Sequence, residues 1–129
     1  MQIKVMTIYV SDQDKALRFY TDVLGFQKKT DVGAGDYRWL TVVSPEAPDG
    51  IELQLALAQS PVAKAYQEGT RAEGGVAVMF NTDDVDADFD RIKKAGGQFT
   101  MEPMDVTGSR IAQLDDTVGN LVQLTQLKW

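Results

Sequence analysis

The sequence contains no histidine and no cysteine. Without thiols the chain can form neither disulfides nor thiolate metal sites. Without imidazole it has no histidine ligand for zinc or iron, no Ser-His-Asp triad and no ordinary proton relay near neutral pH. The two absences therefore exclude thiolate metal sites, histidine-based zinc and iron sites and every catalytic triad that uses histidine.

Long apolar runs and a surplus of basic charge are also lacking. No segment approaches the ~20 consecutive apolar residues that cross a bilayer, and the start of the chain, Met1–Val10, alternates like a strand rather than forming a signal peptide. Acidic residues outnumber basic ones by 19 to 13, for a net charge of −6. Because nucleic-acid binding requires a basic surface, we expect no nucleic-acid partner. From the missing apolar run we expect a cytoplasmic protein without a membrane partner.

The 129 residues, 43% of them hydrophobic, are enough for one compact domain with its own core. Residues 3–10 alternate as a strand does. A helix is then predicted from an N-cap at Ser11 or Asp12 to a glycine end at Gly25. Strands at about 26–30, 37–44 and 50–57 complete a βαβββ module, about residues 1–58.

The same pattern restarts at residue 75, after a polar connection at 59–74 for which a short helix near 62–67 is predicted. A strand, a helix capped by Asp83 or Asp84, and strands at about 98–101, 109–114 and 119–127 form a second module, about 75–129. Asp84 follows Asp12 at an offset of about 72 residues, and Ile51–Leu53 aligns with Val122–Leu124. Duplication of one α+β module explains the match.

Several motifs carry a family resemblance, at Tyr9–Asp12, Lys15–Tyr20, Val23–Phe26, Asp83–Asp86 and Asp116–Leu124. In these stretches the chain resembles the vicinal oxygen chelate superfamily, which includes glyoxalases, bleomycin-resistance proteins and extradiol dioxygenases. The resemblance implies one domain over residues 1–129, in which two βαβββ modules form curved mixed sheets around a central cleft. It places the helices on the convex side and implies a homodimer.

Members of the superfamily usually take four metal ligands from the first and last strands of each module. Carried over, these positions fall on Val5, Glu52, Ala77 and Gln123. Only Glu52 is ionisable, and Gln123 adds one neutral oxygen, which together would leave a divalent cation mostly hydrated. We therefore expect no metal and no other cofactor.

Strand alternation predicts which side chains line the cleft. If Ile51, Leu53 and Leu55 pack on the helix, Glu52 and Gln54 point the other way. The candidate ligand-binding residues are Tyr9, Trp39, Thr41, Glu52, Gln54, Met79, Met104, Arg110 and Gln123.

Each candidate also has a plainer interpretation. The aromatic rings are equally expected in a core, the methionines as gap-fillers, and Arg110 as a solvated surface residue. Glu52 is the candidate catalytic residue, although a carboxylate held only by structural hydrogen bonds is an equally simple explanation.

Three functions remain open. The first is metal-independent binding of a small molecule, such as sequestration of a drug or metabolite. The second is a metal-independent isomerase or lyase in which Glu52 acts as general base. The third is a non-enzymatic partner protein with a vestigial cleft. No motif identifies the ligand.

Overall fold

The computed structural model describes the whole chain, residues 1–129. Its strands are β1 Val5–Val10, β2 Gln27–Ala34, β3 Tyr37–Val43, β4 Glu52–Leu57, β5 Val76–Asn81, β6 Gln98–Val106, β7 Ser109–Asp115 and β8 Leu121–Leu127. Its helices are α1 Gln13–Arg18, continued by a π-helical turn at Phe19–Val23, α2 Pro61–Ala72 and α3 Val85–Lys94. No helix combines the length and apolar character needed to span a membrane.

The chain forms two compact units, Met1–Tyr66 and Gln67–Trp129. The first unit contains a four-stranded sheet in the order β1-β4-β3-β2, and the second a four-stranded sheet in the order β5-β8-β7-β6. In each sheet the first strand is parallel to the last, and the other neighbours are antiparallel. The predicted α+β class and the two βαβββ modules are confirmed.

The helix ends follow the sequence prediction. The Asp12 carboxylate accepts from the backbone N–H of Lys15, and Asp84 accepts from that of Ala87, both at 3.0 Å. These N-caps satisfy amides that have no partner within the helix. At the other ends, Gly25 and Gly96 adopt φ values of 93° and 101°, which only glycine reaches without strain.

One face of each sheet is covered by the helix of its own unit. The buried apolar side chains on these faces and on the helices are Ile8, Val10, Ala16, Phe19, Tyr20, Leu40, Val42 and Leu55 in the first unit, and Val85, Ile92, Ala112, Leu114, Val122 and Leu124 in the second. Full burial of a side chain the size of valine or leucine contributes about 1.5–3 kcal/mol. We call the opposite face of each sheet, which α1 and α3 do not cover, its open face.

Some predicted boundaries and contacts were wrong. β2 and β6 are longer than predicted because the two hairpin ladders continue to the pairs Ala34–Tyr37 and Val106–Ser109. Helix α2 has 12 residues and replaces most of the predicted connection. Ile51 does not pack on the helix, because it precedes β4 and is 53% exposed.

Arg38 on β3 joins the first hairpin to helix α1 through ion pairs. Arg38 Nη1 lies 2.7 Å from Asp14 Oδ1 of α1, and Arg38 Nε lies 2.9 Å from Asp31 Oδ1 of β2. The hydrogen bonds from Arg38 hold the pKa of Asp31 below its ordinary value, and the two carboxylates raise the pKa of Arg38.

The second unit repeats this arrangement with Arg110 of β7. Its guanidinium pairs with Asp86 of α3 at 2.9 Å and with Asp105 of β6 at 3.4 Å. A hydrogen bond from Arg110 lowers the pKa of Asp86. The pKa of Asp105 is lowered mainly by its hydrogen bond from Lys128 and to a smaller extent by Arg110. Two equivalent ion-pair clusters therefore join helix and hairpin, one in each unit.

These clusters predict acid-dependent stability. A carboxylate whose pKa is lowered by folding stabilises the native state above its ordinary pKa of about 4, and this contribution disappears as pH falls through the lowered pKa. We expect the double variant Arg38→Met/Arg110→Met to melt at a lower temperature at pH 7 and to lose less stability than the parent between about pH 5 and about pH 3. Thermal melts across this range test the prediction. Arg18→Met, at an exposed arginine without an ion pair, is the control. Parallel plots of melting temperature against pH for the parent and the double variant would contradict the prediction.

Candidate functional site

The open face of the first unit gathers five of the predicted residues. Gln54 occupies the central strand β4, where its Cα pairs with those of Thr7 on β1 and Thr41 on β3. Paired residues on neighbouring strands project from the same face. By the same alternation, Tyr9, Trp39 and Glu52 join Thr41 and Gln54 there.

A polar network runs through the middle of this face. Thr7 donates its hydroxyl proton to Gln54 Oε1 at 2.8 Å, and Gln54 Nε2 donates to the Tyr37 hydroxyl oxygen at 3.1 Å. The Gln54 residue is only 7% exposed, so both hydrogen bonds offset the cost of burying an amide. The Tyr37 hydroxyl accepts this bond and keeps its own proton for a ligand. The candidate list omitted Tyr37, although its alternation with Trp39 places it on this face.

Glu52 lies beside the network, with its side chain 14% exposed. Its Oε1 accepts a 2.7 Å hydrogen bond from the hydroxyl of Thr41, a fully buried residue. Lys4 Nζ is 3.9 Å from Glu52 Oε2 and donates instead to the carbonyl oxygens of Asp49 and Gly50, at 3.0 and 2.8 Å. Glu52 Oε2 therefore accepts no hydrogen bond within the protein.

Aromatic rings border the polar network. The rings of Tyr9 and Tyr66 meet edge to face, with centroids 6.4 Å apart. Tyr66 belongs to α2 and is 65% exposed, and Tyr37 is 54% exposed. Sequence reasoning missed Tyr66, although it lies in the short helix predicted near 62–67, because strand alternation does not place a helix residue against the sheet.

The second unit has its own buried amide, Gln123, which is 8% exposed. Its Oε1 accepts from Gln113 Nε2 at 2.9 Å, and its Nε2 donates to Thr125 Oγ1 at 3.1 Å. The Cα of Gln123 pairs with that of Met79, and Met104 pairs with Ile111 on the same face. The predicted residues Met79, Met104 and Gln123 thus lie on the open face of this unit, both methionines exposed.

The internal alignment of the last strands was wrong. Gln123 lies between Met79 and Gln113, as Gln54 lies between Thr7 and Thr41. Gln123 therefore occupies the place of Gln54, whereas the sequence alignment had matched it with Glu52. The connection before β4, residues 44–51, is longer than the one before β8, residues 116–120, and this difference shifted the alignment.

Arg110 is separated from the other candidates, contrary to its predicted place in the cleft. It pairs across the sheet with Gln126, whose side-chain oxygen accepts from the backbone N–H of Val85 at the start of α3. Arg110 thus lies on the helix-covered face, in the ion-pair cluster with Asp86 and Asp105. The ion pair with Asp86 of α3, rather than a ligand, therefore explains the position of the Arg110 side chain.

The residues of these faces do not fit the four-ligand metal site that the family resemblance implies. No three Asp, Glu, His or Cys side chains converge as metal ligands. Val5, whose Cα pairs with that of Glu52, is a hydrocarbon, and the Gln123 amide is engaged with Gln113 and Thr125.

Comparison with known proteins identifies the class. The family model described as Glyoxalase/Bleomycin resistance protein/Dioxygenase superfamily matches residues 2–124, and the chain belongs to this superfamily. It is 48% identical to the uncharacterized protein YurT of Bacillus subtilis (strain 168), over 98% of this chain and 99% of that protein. It is 31% identical to a probable lactoylglutathione lyase of Vibrio cholerae, over 92% of this chain and 86% of that protein.

A solved structure with the same fold is TnmS3, an antibiotic binding protein from Streptomyces sp. CB03234. The TM-score is 0.76 with 27% sequence identity, covering 99% of this chain and 97% of that chain. The two proteins therefore share the fold over their full lengths.

The donor set predicts a weak response to metal ions. A metal present at a hundredfold excess over its Kd would stabilise the fold by ~2.7 kcal/mol, which raises the melting temperature by several degrees in a domain of this size. We expect nickel, zinc and iron(II) to leave the melting temperature of EDTA-treated protein almost unchanged and to confer no glyoxalase activity. A rise of several degrees with any one ion would show that other donors complete the site.

Proposed function

We propose that this protein binds a small organic molecule on the open face of its first unit, without a metal, and sequesters it rather than transforming it. The observation that carries the proposal is the polar network of Thr7, Gln54 and Tyr37 beside Glu52, bordered by aromatic rings on the open face. Ligand sites typically combine aromatic surface with a few fixed polar groups in this way. The similarity to an antibiotic binding protein supports the same class of function.

A metal-independent isomerase or lyase is the second candidate. Glu52 Oε2 is free to accept a proton, as a general base requires, and one relative is a probable lactoylglutathione lyase. Proton abstraction next to a carbonyl also requires donors for the developing oxyanion. The Tyr37 hydroxyl is one such donor, and Lys4 is committed to two backbone carbonyls. Binding without turnover needs no further group, so we favour it.

The Glu52 assignment is tested by Glu52→Gln. The amide keeps the shape and can still accept from Thr41, so the melting temperature should change little. Affinity for a ligand that uses the carboxylate should fall at least tenfold, about 1.4 kcal/mol. Thermal-shift screening of natural-product aromatics, followed by titration of each hit, measures both effects. Glu102→Gln, at an exposed glutamate on β6, is the matched control.

Two results would separate the alternatives. A Glu52→Gln variant that loses roughly 1–3 kcal/mol of stability while its ligand affinity is unchanged would make Glu52 a structural residue. Turnover of a carbon acid by the parent, abolished in the variant, would favour the enzyme over the binding protein.

We also propose that the protein is a homodimer. Each open face carries exposed apolar side chains, among them Val32 and Tyr37 in the first unit and Met79 and Met104 in the second, and monomers rarely leave large apolar patches uncovered. The superfamily resemblance suggests the same state. Light scattering at micromolar concentration should give twice the chain mass of 14.2 kDa. A mass of one chain would exclude the dimer.

A further inference from the structure

The negative charge on the open face of the first unit comes from one side chain, Glu52, whose Oε2 has the Lys4 ammonium 3.9 Å away. Among the residues that β1, β3 and β4 place there, only Glu52 is ionisable as an acid or a base near neutral pH. Arg38 and Asp31 project to the opposite face, where they pair with each other. A ligand on this face therefore meets a single carboxylate, in a protein whose net charge is already −6.

One oxygen of the Glu52 carboxylate, Oε2, accepts no hydrogen bond within the protein. Glu52 Oε1 is engaged with Thr41, but Oε2 has only Lys4 nearby, at 3.9 Å, beyond hydrogen-bond distance. Lys4 is held away by the carbonyl oxygens of Asp49 and Gly50. An N–H donor of a cationic ligand can approach Oε2 to about 2.8 Å and form a charge-assisted bond, roughly twice as strong as a neutral one.

Aromatic rings farther along the same face suit an elongated flat cation. Tyr9 and Trp39 lie four residues along their strands from Val5 and Val43, the partners of Glu52, which is about 13 Å, so only an extended ligand contacts both the carboxylate and a ring. Indole and phenol rings attract cations through their negative faces. A planar aromatic ring adds stacking area without the entropy cost of a flexible chain.

We infer that the ligand of this face is a planar aromatic cation carrying an N–H donor, and that Glu52 selects it over neutral and anionic aromatics. The inference rests on the proposed binding function and adds the charge class of the ligand. Lys4 opposes such a ligand by repulsion, so it limits the affinity.

Three acridine probes of similar shape test the inference. At pH 7.5, 9-aminoacridine is a cation with N–H donors, N-methylacridinium is a cation without them, and acridine is neutral. Binding is measured as quenching of Trp39 in a Trp129→Phe background, which leaves one tryptophan in the chain. Trp129 lies in the second unit and is 86% exposed, so its replacement by another ring leaves the probed face intact.

We expect 9-aminoacridine to bind at least tenfold more tightly than acridine, with N-methylacridinium between them. Glu52→Gln should lower the affinity for 9-aminoacridine at least tenfold and change that for acridine by less than twofold. Lys4→Met should strengthen 9-aminoacridine binding severalfold, and added salt should weaken it. Glu102→Gln, the control, should leave all three affinities unchanged.

Acridine binding as tightly as 9-aminoacridine, or equal losses for all three probes in Glu52→Gln, would overturn the inference while leaving the binding function intact. The same holds if none of the acridines binds but a neutral aromatic from the natural-product screen does. If no aromatic from either set binds, the proposed binding function itself fails.

Discussion

The parallel pairing of the first strand with the last determines the rest of each unit. It inserts β4 between β1 and β3, and β8 between β5 and β7, so the closing strand becomes the centre of its sheet. Thr7 and Gln54 consequently hydrogen-bond although they are 47 residues apart. An amide in this central position needs partners for both its oxygen and its nitrogen, because an unpaired buried amide is costly. The groups that we propose to bind a ligand are therefore also part of the internal stabilisation of the open face.

Much of this fold is predictable because the residues that begin and end its helices act on their immediate neighbours in the chain. Asp12 and Asp84 cap helices through their own following backbone amides, and Gly25 and Gly96 end them in a conformation that other residues avoid. Strand alternation correctly placed Glu52 on the face away from the helix because period-two patterning is a property of each strand by itself. These signals need no knowledge of distant contacts.

The errors concern features that depend on distant partners. The direction of Arg110 depends on Asp86, which lies on another element. Helix α2 is polar on average, and one of its residues, Gln67, is fixed by donation to the Val118 carbonyl, 51 residues away. The equivalence of Gln54 with Gln123 depends on register, which connections of different length conceal. For the same reason the sequence pointed to Glu52 but missed Tyr37, which bonds to Gln54, and Tyr66, which contacts Tyr9.

The two ion-pair clusters have a consequence for folding. Their chemistry is the same in both halves, so an electrostatic contact alone would let α1 dock on the hairpin that carries Arg110 as readily as on its own. The pairing of each helix with its own hairpin must then depend on the shapes of the apolar side chains that pack between them. The adjacent rings of Phe19 and Tyr20 in one half differ from the Phe89–Phe99 contact between helix and strand in the other. In a duplicated chain, apolar contacts that differ between the halves in this way would favour native docking over an exchange of helices between halves.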